Sequence, residues 1–328
     1  MTLLRFSMRR VARMAATIAI LVPLTFLLFR AVPGDPSAAV VGPDLDPSVA
    51  AMLRARYGVD QPVGVQFLRY LSNLARGDLG ISFHYKQPVG DILLNKLFNT
   101  AVLAVPAIVL ALVLGSALGA FAAATGRRRG LVDAVLRNGA FVGRATPIFW
   151  TATLALLLFS YHLNWVPSIG MTTPGRGVAV TGLGVFGSPD FWWHLALPLL
   201  IMTLYFMPEP LLTMRTSMAD VLREDFIALG RAQGLSPARI VYRHAARNAL
   251  LPVVTLMPAL TGTIIGGQVI VETIFSWPGM GRAIVDAVNN FDYPMMQGVF
   301  LLTAVMAVAV NGVIDVLYAY LDPRVRLA

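Results

Sequence analysis

The sequence predicts an all-α polytopic membrane protein with six transmembrane helices, and three observations carry that prediction. Apolar residues make up 57% of the chain and charged residues only 13%, with a mean hydropathy of +0.69. A soluble domain is about 25% charged; a soluble chain this poor in charge would lack the polar side chains to cover its surface. Uncharged stretches recur along the 328 residues, and about 20 apolar residues cross a ~30 Å hydrocarbon core. Finally, the arginines crowd onto alternate connecting segments, as orientation in a membrane requires. The net charge of +9 therefore marks topology and not a nucleic-acid surface. The absence of cysteine excludes disulfides, iron–sulfur clusters and thiolate zinc sites.

The first span is expected at about 11–31. Its apolar run ends in Phe29-Arg30-Ala31-Val32-Pro33, not in a small-x-small cleavage site, so it reads as a retained helix and not a signal peptide. Residues 32–98 form a long outer segment with an amphipathic helix near 47–57, capped by Asp46 or Ser48 and closed by Gly58. The remaining spans are expected near 99–125, 139–162, 194–213, 249–272 and 298–320. The chain thus divides into 1–98, the first span with its outer segment, and 99–328, a five-span core with a loop at 214–248. Pro106, Gly115, Gly119, Pro147, Pro258, Gly262, Gly266 and Gly267 lie inside spans, where they supply kinks or close contacts. Ordinary helix packing is the simpler reading for most of them. With the N-terminus inside, sixteen of the 26 Lys and Arg residues fall on cytoplasmic pieces. Both termini are therefore expected in the cytoplasm.

Residues 214–248 break the apolar pattern. Glu224 and Asp225 suit the first turn of a short helix, where acids complement the helix dipole. Gly234 is placed to stop that helix. Ser236 and Pro237 then form the N-cap and first position of a second helix that leads into the fifth span. Arg239, Arg243 and Arg247 recur every four residues, so they share one helical stripe. The stripe faces either anionic lipid headgroups or a cytoplasmic partner.

Ala228-Leu229-Gly230-Arg231-Ala232-Gln233-Gly234 resembles the EAA loop of ABC importer permeases, in the form of the dipeptide/oligopeptide/nickel subgroup. The same subgroup is matched by Ala31-Val-Pro-Gly-Asp-Pro36, Tyr57-Gly-Val-Asp-Gln-Pro62 and Arg76-Gly-Asp-Leu-Gly80. It is matched again by Arg243-His-Ala-Ala-Arg-Asn-Ala-Leu-Leu-Pro-Val253, Val271-Glu-Thr-Ile-Phe-Ser-Trp-Pro-Gly-Met-Gly281 and Asp315-Val-Leu-Tyr-Ala-Tyr-Leu-Asp-Pro-Arg324. Two departures stand in the loop: Ala228 occupies the glutamate position, as is usual in this subgroup, and Gly230 replaces an alanine. A glycine there loosens a helix by up to ~1 kcal/mol. The resemblance implies a transmembrane subunit for peptides or similar small solutes in the bacterial inner membrane. Its partners would be a second permease, two ATP-binding subunits, an extracytoplasmic binding protein and membrane lipids, with no nucleic acid. It further implies coupling to an ATPase through residues 224–234, with Ala228, Gly230, Arg231, Ala232 and Gly234, joined by Arg243, as the contact set.

The chain carries no chemistry of its own that spacing reveals. It lacks a GxxxxGK[ST] phosphate loop, a GxSxG elbow and an HExxH pair. His84, His162, His194 and His244 sit in separate segments without metal-ligand spacing. ATP and Mg are thus expected on partner ATPases, with no cofactor in this chain and no catalysis by it. An ion-coupled secondary transporter is the main rival, but such machines place ionisable groups near the bilayer midplane. Here Arg144, Glu209 and Asp315 all lie near cytoplasmic span ends, roughly 6–8 Å deep at 1.5 Å per residue. A lone channel would not need a docking loop of this length. The resemblance makes Arg144 a departure from a Gly-x-Ser-x-Pro pattern, and Glu209, between two prolines, is also unusual. A buried arginine persists when paired. Arg144 is therefore expected either to pair with Glu209, or else with Asp315, as a cytoplasmic gate, or to snorkel to the interface.

Overall fold

The computed structural model describes residues 3–31, 61–125, 130–175, 182–257 and 268–321, with side chains from 8 to 29 at the first helix and up to 314 at the last. Among the described residues the regular elements are helical, apart from an isolated bridge between Ile81 and Pro88. Helices α1 (Leu3–Ala31), α2 (Val63–Ala75) and α3 (Val89–Thr125) are followed by α4 (Gly130–Ala145) and α5 (Ile148–Ala155), the last extended by a π-helical turn, Leu156–His162. Next come α6 (Pro189–Phe206), α7 (Pro208–Val221) and the short α8 (Asp225–Ala232). Helix α9 starts at Pro237–Arg239, widens into a π-helix over Ile240–Ala245 and ends as Ala246–Val254. Helices α10 (Met280–Asn289) and α11 (Tyr293–Leu321) complete the chain. Met8–Phe29, Val89–Thr125 and Tyr293–Ile314 are each long and apolar enough to cross a membrane. The expected helix near 47–57 lies outside the described residues. So do Pro258, Gly262, Gly266 and Gly267, in the middle of the expected fifth span.

Two expected spans differ from their straight form. Residues 139–162 are not one helix: α4 and α5 meet at 100°. Pro147 has no N–H to carry the ladder on, and the residue before a proline is biased out of the α region. Thr146 closes α4 instead, its N–H and its hydroxyl both donating to the Val142 carbonyl, at 3.0 and 2.7 Å. Trp150 then opens α5 by bonding back to Pro147. The expected span 194–213 is likewise α6 and α7, bent by 41° ahead of Pro208 and Pro210. Helix α7 continues to Val221, so the loop expected to begin at 214 starts eight residues later.

By contact, the chain forms two compact units, Met1–Thr100 with Pro278–Ala328, and Ala101–Trp277. In the first unit α1 packs along α11, where Gly312 leaves room only for Met14 and Phe29 meets Phe300 edge-on at 5.2 Å. Phe29, Phe83, Val89, Leu93, Met295 and Val299 fill its core. The fully buried Asp292 ties this core together. Its carboxylate accepts from the Ser82 hydroxyl, from the His84 N–H at 3.0 Å and from the Met295 N–H at 3.2 Å, capping α11. We predict that Asp292→Leu strands three donors at about 1–3 kcal/mol each, lowering the melting temperature of the purified chain sharply, whereas Asp292→Asn loses less. Wild-type melting of the leucine variant would refute this.

In the second unit, α7 lies directly against the end of α3. Gly115 and Gly119 are the contact points, and Ala120, Met214, Met218, Ile227, Ile240, Ala245, Ala249 and Val253 continue the packing as one core. Gly115 and Gly119 are thus true close approaches. A fully buried corner ends the unit, where Trp277 packs near Phe191 and the Gly170 N–H donates to the Phe275 carbonyl at 2.8 Å.

Candidate functional site

Helix α8 is built from local signals. Glu224 stands at its N-cap in extended backbone, its carbonyl accepting from Ile227, and Asp225 supplies negative charge to the first turn. At the other end Gly234 has φ +77°, the Gly234 N–H donates to Arg231 and the Leu235 N–H donates to Gly230, both near 3.0 Å. That pair of bonds is a Schellman motif, with glycine at the one position that must be left-handed. Only Ile227 and Gly230 of α8 are buried. Leu235 folds over Gly230, where an added methyl would come within 3.3 Å of its Cδ1. The glycine that departs from the family pattern therefore makes room for the residue that seals the cap. Ala228, Leu229, Arg231 and Ala232 face outward, with Leu229 59% exposed.

Ser236 caps α9 by accepting from the Arg239 N–H, and Pro237 takes the first helical position. The buried side of α9 runs through Ile240, Ala245, Ala249 and Val253. One step of five followed by steps of four is what a π-helical turn inside an α-helix produces. Arg239, Arg243 and Arg247 all emerge on the exposed side, beside Tyr242.

The structure brings Arg144 and Glu209 together: Arg144 Nη1 lies 2.5 Å from Glu209 Oε2, with the two side chains 61% and 36% exposed. The depth argument that paired them assumed a continuous third span. Arg144 instead sits in the last turn of α4, just before the break at Pro147, and Glu209 in the first turn of α7, just after the α6–α7 bend. The side chain of Asp315 lies outside the described residues. An apolar cleft of about 810 Å³ opens beside these breaks, lined by Gly143, Thr146, Trp150, Tyr205 and Pro208 among others.

Sequence reasoning missed a second ion pair. Arg215 Nε donates to Asp133 Oδ1 at 2.8 Å and its Nη2 to Oδ2 at 2.7 Å, joining α7 to the first turn of α4. Both groups fall outside the expected spans. The available signal was a single acid in a loop otherwise holding Arg127, Arg128, Arg129 and Arg137. Asp190 was missed as well: it is buried, accepts from the N–H and hydroxyl of Thr173 at 2.6 and 2.7 Å, and lies 3.8 Å from His194. His194 thus belongs to a structural loop anchor.

Long apolar helices, two of them broken, and a charged two-helix knob define a polytopic all-α membrane protein. The chain belongs to the family of binding-protein-dependent transport system inner membrane components, which matches residues 115–327, with the family's N-terminal part matching 3–104. It is 34% identical over 324 residues to the glutathione transport system permease protein GsiC of Salmonella typhimurium, covering 99% of each chain. It is 34% identical over 334 residues to the dipeptide transport system permease protein DppB of Alkalihalophilus pseudofirmus, covering 99% of this chain and all of that one. Among solved structures, the inward-facing MetNI methionine ABC transporter contains a chain that matches with a TM-score of 0.52. That match covers 70% of this chain and 96% of the other at 16% identity, and so bears on the fold alone. The protein is a permease subunit of an ATP-driven ABC importer, and nothing among the relatives supports the ion-coupled alternative.

Proposed function

We propose that this permease forms half of an import pathway for peptides or similar small solutes in the bacterial inner membrane. Relatives named for glutathione and dipeptide transport support that cargo class. Both termini face the cytoplasm, where the arginine-rich segments favour the inner side. A second permease completes the pathway, an extracytoplasmic binding protein delivers the solute, and two ATPase subunits hold ATP and Mg. Helix α8 docks into an ATPase through Ala228, Gly230, Arg231, Ala232 and Gly234, with Arg243 at the edge of the contact. The Arg144–Glu209 pair latches the cytoplasmic gate in the resting state, with Asp315 near the same end of the pathway.

One observation carries this reading: a rigidly capped helix, buried by only two residues, presents Leu229 and its neighbours to the outside. A photo-crosslinking residue at position 229, in the complete complex in membrane vesicles, should join this chain to an ATPase subunit. The same probe at the still more exposed Leu183, in an expected outer loop, should not. A complex that imports with ATP but yields no ATPase adduct from position 229 would overturn the docking. Reversing Arg243 to Glu should weaken ATPase co-purification about tenfold, in the range of a lost charge pair in a contact. Unchanged co-purification would assign the stripe to lipid headgroups.

A further inference from the structure

Helix α4 is held to α7 at both ends by charge pairs of opposite polarity, and the two pairs are unequal. At its start, Asp133 receives a two-pronged guanidinium from Arg215, with the side chains 13% and 28% exposed. At its end, Arg144 makes a single contact to Glu209 with both groups open to the surroundings. A bidentate, sheltered pair outlasts a single exposed one, because geometry fixes it and less water competes. Helix α7 in turn is keyed to α3: a Cβ on Gly119 would lie 3.0 Å from the Arg215 backbone nitrogen. Between α7 and α8 stand only residues 222–224.

We propose that Asp133 and Arg215 form the pivot of a lever, on which α4 turns relative to α7 when the Arg144–Glu209 end lets go. The proposal rests on the reading of α8 as the ATPase contact. Motion received by α8 reaches α7 through three residues. Release at Glu209 then swings the end of α4 that carries Thr146 and Gly143, two residues on the rim of the apolar cleft. The pivot keeps the other end attached, so the stroke becomes a rotation and not a detachment. Asp133 and Arg215 are positioning residues in this scheme.

The chain has no cysteine, so introduced pairs are unambiguous within it. In the complete complex in lipid nanodiscs, spin labels at Leu131 and Thr216 should keep one distance in the nucleotide-free and ATP-trapped states. Labels at Val142 and Thr213 should shift between those states. Movement at the first pair, or none at the second, overturns the lever. In parallel, Arg215→Ala should lower solute imported per ATP hydrolysed about tenfold, within the range for residues that carry coupling. The exchange Asp133→Arg with Arg215→Asp should recover most of it, and a merely additive exchange also overturns the pivot. Crosslinking from position 229 separates the two readings: if it persists while the distances contradict the lever, docking stands and the pivot falls. Where a charge variant fails to accumulate, the label distances in the otherwise unaltered chain still decide.

Discussion

Replacing Gly234 with valine should leave the permease in the membrane and assembled, yet break the link between ATP hydrolysis and import. The residue sits at φ +77°, and no atom lies within 4 Å of where a Cβ would be built, so crowding is not the problem. The backbone is. A left-handed conformation costs an ordinary L-residue roughly 1–2 kcal/mol, and a β-branched side chain resists it further. Valine relieves the strain by abandoning the Schellman bonds from Gly234 to Arg231 and from Leu235 to Gly230. The last turn of α8 then unwinds and Leu235 lifts from Gly230, while the core beneath, Met214, Met218 and Ile240, is untouched. Import per ATP should fall about tenfold or more, read as uptake against phosphate release by the complex in proteoliposomes. Gly234→Asn, which tolerates left-handed backbone, should stay close to wild type. Normal coupling in a correctly assembled valine variant would sink the idea.

Gly119→Leu should prevent accumulation of the folded chain altogether, and Gly119→Ala should already lower its stability. The added Cβ lies far inside van der Waals contact with the Leu211 carbonyl oxygen and 3.0 Å from both the Arg215 nitrogen and Met214 Cβ. Gly115 is similarly tight, 2.9 Å from the Met207 carbonyl oxygen. Two of the three obstacles at Gly119 are backbone, which no rotamer change can move. Helix α7 must back away, and overpacking of this kind costs about 1–3 kcal/mol or more. Retreat also withdraws Arg215 from Asp133. The measurement is membrane content and melting temperature in detergent. An alanine variant with wild-type values for both would show that the helices approach less closely than described.

What the sequence made legible was whatever depends on neighbours in the chain. Asp225, Gly234, Ser236 and Pro237 each act within one helical turn, so the limits of α8 and the start of α9 could be read directly. Hydropathy also located the long helices, because bilayer thickness is a length the composition must match. It did not see the breaks at Thr146–Pro147 and at Met207, since a window average is blind to direction, although Pro147 stood among the residues expected to kink a span or pack closely. Arg144 and Glu209 drew notice as charges in apolar stretches, but the route by which they meet, two helix breaks, was not the one depth suggested. Asp133 and Arg215 stand 82 positions apart in segments that look solvated. Only the fold of α4 back onto α7 joins them.

The π-helical turn at Ile240–Ala245 bears on how this loop can diverge. It accommodates one more residue than an α-helix would between the buried Ile240 and Ala245. Removing one residue here would restore regular pitch and turn the step of five from Ile240 to Ala245 into a step of four, so everything downstream would keep its facing. Ala249 and Val253 would then stay in the core that Met214 and Ile227 share, and Arg247 would stay on the exposed side. Side-chain exchange on the outer surface, at Tyr242 or His244, disturbs none of this. In this stretch the chain can give up one residue, and its outward side chains can drift, without re-facing the helix that follows.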